Sequence, residues 1–275
     1  MSRPPRIGVH IWPGGAPSYA SWRGAVLEAE DMGADAVFGY DHFHKPFVEI
    51  APEGPVLLPE QPDVNNFESW TALASWGEAT SRVEIGLLVT GIGYRNPELL
   101  ADMARTVDHI SGGRLILGLG SGWYEKDYAV YGFEYGTVAS RMELFAEGLA
   151  RIKHRLAALT PKPLREIPIL IGGSGEKKTL PLVGQYAGIW HSFLDLETFR
   201  RKNQLVHDHA TAAGRDDAEI ERAIAWQGPA MADAFVAEGA SLFTMEIKPT
   251  SDGYDLSPVR EMLAWRDAQL GKGGR

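Results

Sequence analysis

Short apolar runs alternate along this chain with longer segments of helical period, the pattern of a parallel sheet wrapped by helices. Residues 7–12 read as the first strand; Trp22, Val26, Ala29 and Met32 then share one helical face, with Gly33 as the stop. Residues 36–40 form a second strand. Residues 42–66, rich in Pro and Gly, predict an irregular excursion over one end of the fold. A helix over 67–79 leads to a third strand over 83–90, whose near-continuous apolar composition suits burial on both faces. Asn96 reads as an N-cap with Pro97 behind it, and Leu99, Met103, Val107 and Ile110 as the buried stripe of the next helix, which Ser111-Gly112-Gly113 ends. Residues 114–120 are the fourth strand. Ser140 with Glu143 predicts a capping box opening a long helix lined by Met142, Phe145, Leu149, Ile152 and Leu156. Further strands fall at 168–171, 188–191, 220–224 and 240–247, with helices starting near Glu176, Asp195, Met231 and Ser257. About eight units with no linker-like interruption predict one (β/α)8 TIM barrel over residues 1–275.

Composition narrows the partners. A formal charge of −9 and a pI near 5.4 disfavour nucleic acid and anionic membranes, which reward a basic surface, and point to a small-molecule substrate. The chain has no cysteine, so thiolate chemistry, disulfides and Cys-ligated zinc are excluded. The N-terminus reaches the first strand without an apolar stretch of signal-peptide length, and no later run approaches a membrane span. A cytoplasmic protein is the expectation.

In such barrels the chemistry sits in the loops after the strands. Gly172-Gly173-Ser174-Gly175-Glu176-Lys177-Lys178-Thr179 is a glycine-rich turn between a strand and a helix, where backbone N–H groups can converge on a phosphate and the two lysines on a longer anionic tail. The alternative is a tight turn that uses glycine only for its positive φ. Gly118 to Tyr124, GLGSGWY, resembles a dinucleotide fingerprint only superficially, because its last glycine is out of register and no helix of the required packing is expected directly after it. Its glycines can instead let a flat ring approach the backbone between Trp123 and Tyr124, or the aromatics can be plain packing. His42 and His44 form an HxH pair at a strand end. A metal would need further ligands, with His191 the one available, so no metal site is assigned. Asp41 beside His42 reads as a carboxylate that orients an imidazole or a cofactor hydroxyl.

The segment running from WGEATSRVEIGLLVTG through GGRLILGLGSGWYEKDYAVYGF resembles the central signature of luciferase-like oxidoreductases, particularly those dependent on coenzyme F420. VFGYDHF and IPILIGGSGEKKTL are similar to that family's second-strand end and cofactor-phosphate segment. The resemblance runs from about Arg6 to Trp190 and fades beyond Asp195. It implies an isoalloxazine-type ring at the strand ends: Asp41 and His42 near it, Leu88, Val89 and Thr90 backing it, Gly120, Ser121, Gly122 and Trp123 bordering it, and Gly172 to Thr179 on the phosphate. It also implies a non-prolyl cis peptide near Leu88-Val89, and, by analogy, a homodimer. His42 is then either a proton donor or a ring contact. The family's sugar-phosphate dehydrogenases carry a glutamate where this sequence has Trp123, so their acid and substrate do not carry over. The implied reaction is hydride transfer with F420. FMN in its place would imply monooxygenation with a separate flavin reductase, and a barrel that binds flavin without turnover is the third reading.

Overall fold

The computed structural model describes residues 3–51, 54–59 and 61–273. Its elements are β1 (Arg6–Ile11), α1 (Tyr19–Met32), β2 (Ala36–Gly39), β3 (Val48–Ala51), β4 (Gly54–Leu57), α2 (Ser69–Ala79), β5 (Glu84–Leu87), β6 (Thr90–Gly91), α3 (Pro97–Ile110) and β7 (Leu115–Gly120). There follow α4 (Glu125–Tyr131), α5 (Val138–Ala158), β8 (Ile169–Gly172), α6 (Thr179–Tyr186), β9 (Ile189–Ser192), α7 (Leu196–Ala212), β10 (Glu221–Ala225), α8 (Pro229–Ala237), β11 (Ala240–Ile247) and α9 (Val259–Gly273). Strands β5, β2, β1, β11, β10, β9, β8 and β7 pair in parallel in that order. Because β5 also pairs with β7, the ring closes into the expected eight-stranded barrel.

Strand alternation divides the side chains into two layers. Outward residues such as Ile7, Val9 and Ile11 of β1 pack under the helices in the main core. Inward residues Ala36, Phe38, Ile116, Leu170, Ile189, Ala223 and Leu242 form a second, smaller cluster that plugs the barrel, with Leu88 and Val89 packed on it. This plug becomes the floor of whatever lies above it.

Several local expectations shift. The third strand is not continuous over 83–90: it breaks after Leu87, passes the cis peptide Leu88-Val89 that the resemblance implied, and resumes as β6. Room for this bulge comes from glycine, since a Cβ on Gly118 would lie 1.8 Å from the Leu87 carbonyl oxygen and one on Gly120 2.7 Å from Val89 Cγ2. Asn96 does cap α3, accepting from the Leu99 amide, and the buried face runs through Leu100, Ala101, Ala104 and Val107; of the expected stripe, Val107 is on this face and Met103 packs partly buried against the core, but Leu99 does neither. The alanines let this helix sit close to the strands, and Leu99 is 54% exposed. The capping box of α5 is Thr137 with Ser140, three residues upstream of the expected pair. Helix α6 begins at Thr179 instead of near Glu176, because Lys178 keeps a non-helical φ of −129°. The excursion over 42–66 contains an antiparallel hairpin, β3 with β4, and returns through Asn66, whose side chain donates to the His42 carbonyl at 2.8 Å.

Candidate active site

Above the plug, the inward positions of the strands no longer carry apolar residues. On β7 and β8 they are Gly118, Gly120 and Gly172; on β1, β9 and β11 they are His10, His191, Thr244 and Glu246. The barrel mouth therefore has a backbone wall on one side and a polar side-chain wall on the other. The loops close these walls into a cavity of about 360 Å³, over which the hairpin excursion contributes Pro46 and Val48.

Most of the residues singled out in the sequence meet in this cavity: His42, Leu88, Val89, Gly120, Ser121, Gly122, Trp123, Gly172, Gly173, Ser174 and Gly175 line it. Val89 is central to the backbone wall: a Cβ on Gly120 would come within 2.7 Å, and one on Gly172 within 3.2 Å, of its methyls. Those two glycines make room for Val89, so a flat ring would lie against Val89 and not directly on their backbone. Asp41, Thr90, Glu176, Lys177, Lys178 and Thr179 do not line the cavity. Asp41 and Thr90 are buried just behind it, while Lys177 is exposed, Lys178 lies 3.9 Å from Glu143 and Glu176 pairs with Arg201 at 2.8 Å. The cation that does hold the glycine-rich turn is Lys202 of α7, which donates to the Ser174 carbonyl at 2.9 Å.

Asp41 does not orient His42. Its carboxylate is gripped at both oxygens by Arg95, at 2.5 and 3.1 Å, and burial pushes its pKa up to about 6 against that cation. The group that orients His42 is Asp127, on a short helix, α4, that the sequence did not predict. Its Oδ2 accepts from His42 Nδ1 at 2.8 Å and from the Tyr94 hydroxyl at 3.0 Å. Its Oδ1 accepts from His44 Nδ1 at 2.8 Å and from the His44 amide at 3.1 Å. Burial works against the ionised form of Asp127, but these donors hold its pKa below the ordinary carboxylate value. With Nδ1 committed to Asp127, the nitrogen His42 offers the cavity is Nε2. The aromatic rings of Tyr40, Trp123 and Tyr124 stand edge-on around the imidazole, 5.1 to 5.5 Å between centroids.

On the polar wall, burial drives the pKa of both His10 and His191 down to about 3, so both are neutral near pH 7. His191 Nε2 lies 2.7 Å from the Thr244 hydroxyl. His10 has no partner at either ring nitrogen, its nearest charged neighbour being Glu246 Oε1 at 3.8 Å.

A closed parallel barrel with a bulged third strand and a glycine-walled mouth defines a class, and the chain belongs to it: it is a member of the luciferase-like monooxygenase family, whose model matches residues 4–238. Among relatives, an F420-dependent glucose-6-phosphate dehydrogenase of Amycolatopsis mediterranei is 28% identical over 223 residues, covering 72% of this chain and 62% of the relative. Among solved structures, an F420-dependent secondary alcohol dehydrogenase in complex with an F420-acetone adduct superposes with a TM-score of 0.75 at 18% identity, over 91% of this chain and 96% of the other. The FMN-bound oxygenating component of 3,6-diketocamphane monooxygenase from Pseudomonas putida gives 0.63 at 15%, over 82% and 67%. These last two likenesses are of fold.

Proposed function

We propose that this chain is a coenzyme F420-dependent oxidoreductase that moves a hydride between the deazaflavin and a small organic substrate, with His42 as the proton donor and acceptor. The observation that carries this reading is the Asp127–His42 pair, which turns one imidazole nitrogen toward a glycine-walled cavity. The cavity fits a flat cofactor. Val89 offers an apolar face for a ring, and Gly172 to Gly175, followed by the N-terminus of α6, offer backbone donors for a phosphate, with Lys202 holding the turn. When bound, a deazaflavin supplies two-electron hydride chemistry.

The protein's own contribution is positional and electrostatic. Asp127, held ionised by its donors and shielded from water, fixes the His42 ring so that Nε2 faces the cavity. His42 Nε2 can therefore take the proton of a hydroxyl as that substrate is oxidised and return it in the reverse direction. Tyr40, Trp123 and Tyr124, edge-on around the imidazole, limit the access of bulk water to it. Relatives named for F420 support the deazaflavin; the FMN-bound fold neighbour supplies the rival cofactor.

The test is a fluorescence titration of the purified protein with F420 and with FMN, followed by turnover of the cofactor-loaded protein and of His42→Gln. Tighter binding of F420 and a loss of turnover on the order of 100-fold in the variant, with cofactor affinity kept, are expected. Preferential binding of FMN, with oxygen-dependent turnover in the presence of a flavin reductase, would replace this reading with monooxygenation.

A further inference from the structure

The polar wall is built for a ligand that the protein itself does not supply. His10 on β1 stands in register with Glu246 on β11, so both side chains point into the barrel. His10 is 4% exposed and both its nitrogens lack a partner; Trp12 Nε1 and the Ser192 hydroxyl, which line the same cavity, are unpartnered too. Buried polar atoms of this kind are ordinarily satisfied, and here they gather at one cavity from the ends of β1 and β9. A neutral imidazole offers one N–H and one lone pair, the Trp12 indole only an N–H, and Glu246 only acceptor oxygens while ionised. A group that both donates and accepts matches this set.

Charge narrows the choice further. Among the described residues that line the cavity there is no lysine or arginine, and Glu246 is the sole carboxylate. Lys248 is exposed, its ammonium 4.6 Å from the centroid of the Trp12 ring. The groups facing His10 are thus Glu246, His191, His42 and Lys248, and the one permanent cation among them, Lys248, is not part of the cavity lining. Apart from Ser121, Ser174 and the glycines, the rest of the lining is apolar or aromatic, Val48, Phe193 and Leu194 included.

We propose that His10, Glu246, Trp12 and Ser192 form a substrate subsite that takes the hydroxyl group of an uncharged, largely apolar molecule and turns away anions, sugar phosphates included. This rests on the oxidoreductase reading of the same cavity. An ammonium would leave the Trp12 and Ser192 donors unmatched, and a phosphate would meet the Glu246 carboxylate.

Binding can be read without turnover. Protein labelled with 15N-histidine is titrated with cyclohexanol, cyclohexyl phosphate and cyclohexylamine, with and without F420, and the His10 ring signals are assigned by their loss in His10→Phe. Cyclohexanol should shift the His10 nitrogens and bind about tenfold or more tighter than the phosphate, a difference that Glu246→Gln should shrink several-fold. Equal or tighter binding of the phosphate or the amine, or His10 signals that stay still as cyclohexanol saturates, would overturn the proposal. If His10→Phe fails to fold, the wild-type ranking and Glu246→Gln decide. Failure of F420 to bind would sink the cofactor reading alone, because the alcohol titration is also made in its absence.

Discussion

Acidification should strip stability from this barrel through two specific imidazoles. His10 and His191 are buried, and burial lowers their pKa to about 3, against roughly 6.5 in an unfolded chain. Below about pH 6.5 the unfolded state takes up a proton at each that the folded state does not, so stability falls with pH across the window from about 6.5 down to about 3. The slope is about 1.4 kcal/mol per pH unit per group, which makes the loss about 2 kcal/mol for each histidine by about pH 5. Against a total of roughly 5–15 kcal/mol this is large. Asp41 works the other way: with its pKa raised to about 6, the folded state binds the extra proton, and about 1 kcal/mol is recovered by about pH 5. The wild-type curve alone therefore mixes opposing effects, and the discriminating measurement is a difference. Urea unfolding followed by tryptophan fluorescence, for wild type and His10→Phe, should show the variant gaining about 2 kcal/mol relative to wild type between about pH 7 and about pH 5. Glu246, the near neighbour of His10, also has a pKa raised by burial against the pull of Lys248, so Glu246→Gln is the control for coupling between the two. Parallel stability curves for wild type and His10→Phe over this range would refute the assignment of a neutral, proton-refusing His10.

Asp127→Asn should lower turnover by on the order of 100-fold while leaving cofactor affinity largely intact, because the His42 ring loses the acceptor that orients it; turnover and cofactor affinity falling together with the melting temperature would make Asp127 merely structural. Lys202→Ala should weaken cofactor binding, read by fluorescence titration, by about tenfold, more than Lys178→Ala, because only Lys202 holds the Ser174 carbonyl of the glycine-rich turn. Gly118→Ala should cost about 3 kcal/mol or prevent folding, since its Cβ would meet backbone, whereas Gly24→Ala, exposed on α1 with nothing within 4 Å, should stabilise by about 1 kcal/mol; thermal melts of the two variants separate these outcomes.

The parts of the fold that were legible in the sequence are those governed by local rules. Alternation of apolar runs with helical stripes gave the barrel; Asn96 and Asp195 marked helix starts because each side chain accepts a first-turn amide, and Gly33 marked a stop because it takes a left-handed φ of 103°. What misled was a preference for large residues: the α3 stripe was drawn through Leu99 and Met103, when close packing favours Ala101 and Ala104. Helix α4 gave no cap to read, since Tyr124 caps it without a side-chain hydrogen bond, and it is only two turns long. Asp127 was hidden with it. The carboxylate nearest His42 in sequence, Asp41, drew the pairing that in space belongs to a residue 85 positions away.

The polar wall, by contrast, was legible and passed over. Within a barrel strand the residues sharing the inward face are two apart, so once Leu242 is known to point in, Thr244 and Glu246 follow, and His191 follows from Ile189 by the same step. The alternation that fixes the apolar plug thus also fixes which side chains stand one layer above it, at the end where barrel enzymes do their chemistry. Read that way, a strand such as ASLFTMEI carries two messages: its outward residues, including Phe243 and Ile247, say how the barrel is held, and its inward Glu246 says that the cavity above is not uniformly apolar. Hydrophobicity averaged along the strand hides the second message, because the charged residue is outnumbered by the residues that build the core. Parity along each strand recovers it, and the sequence positions it selects at the strand ends, glycine on one wall and histidine or glutamate on the other, separate the surface suited to a flat ring from the surface suited to its reaction partner.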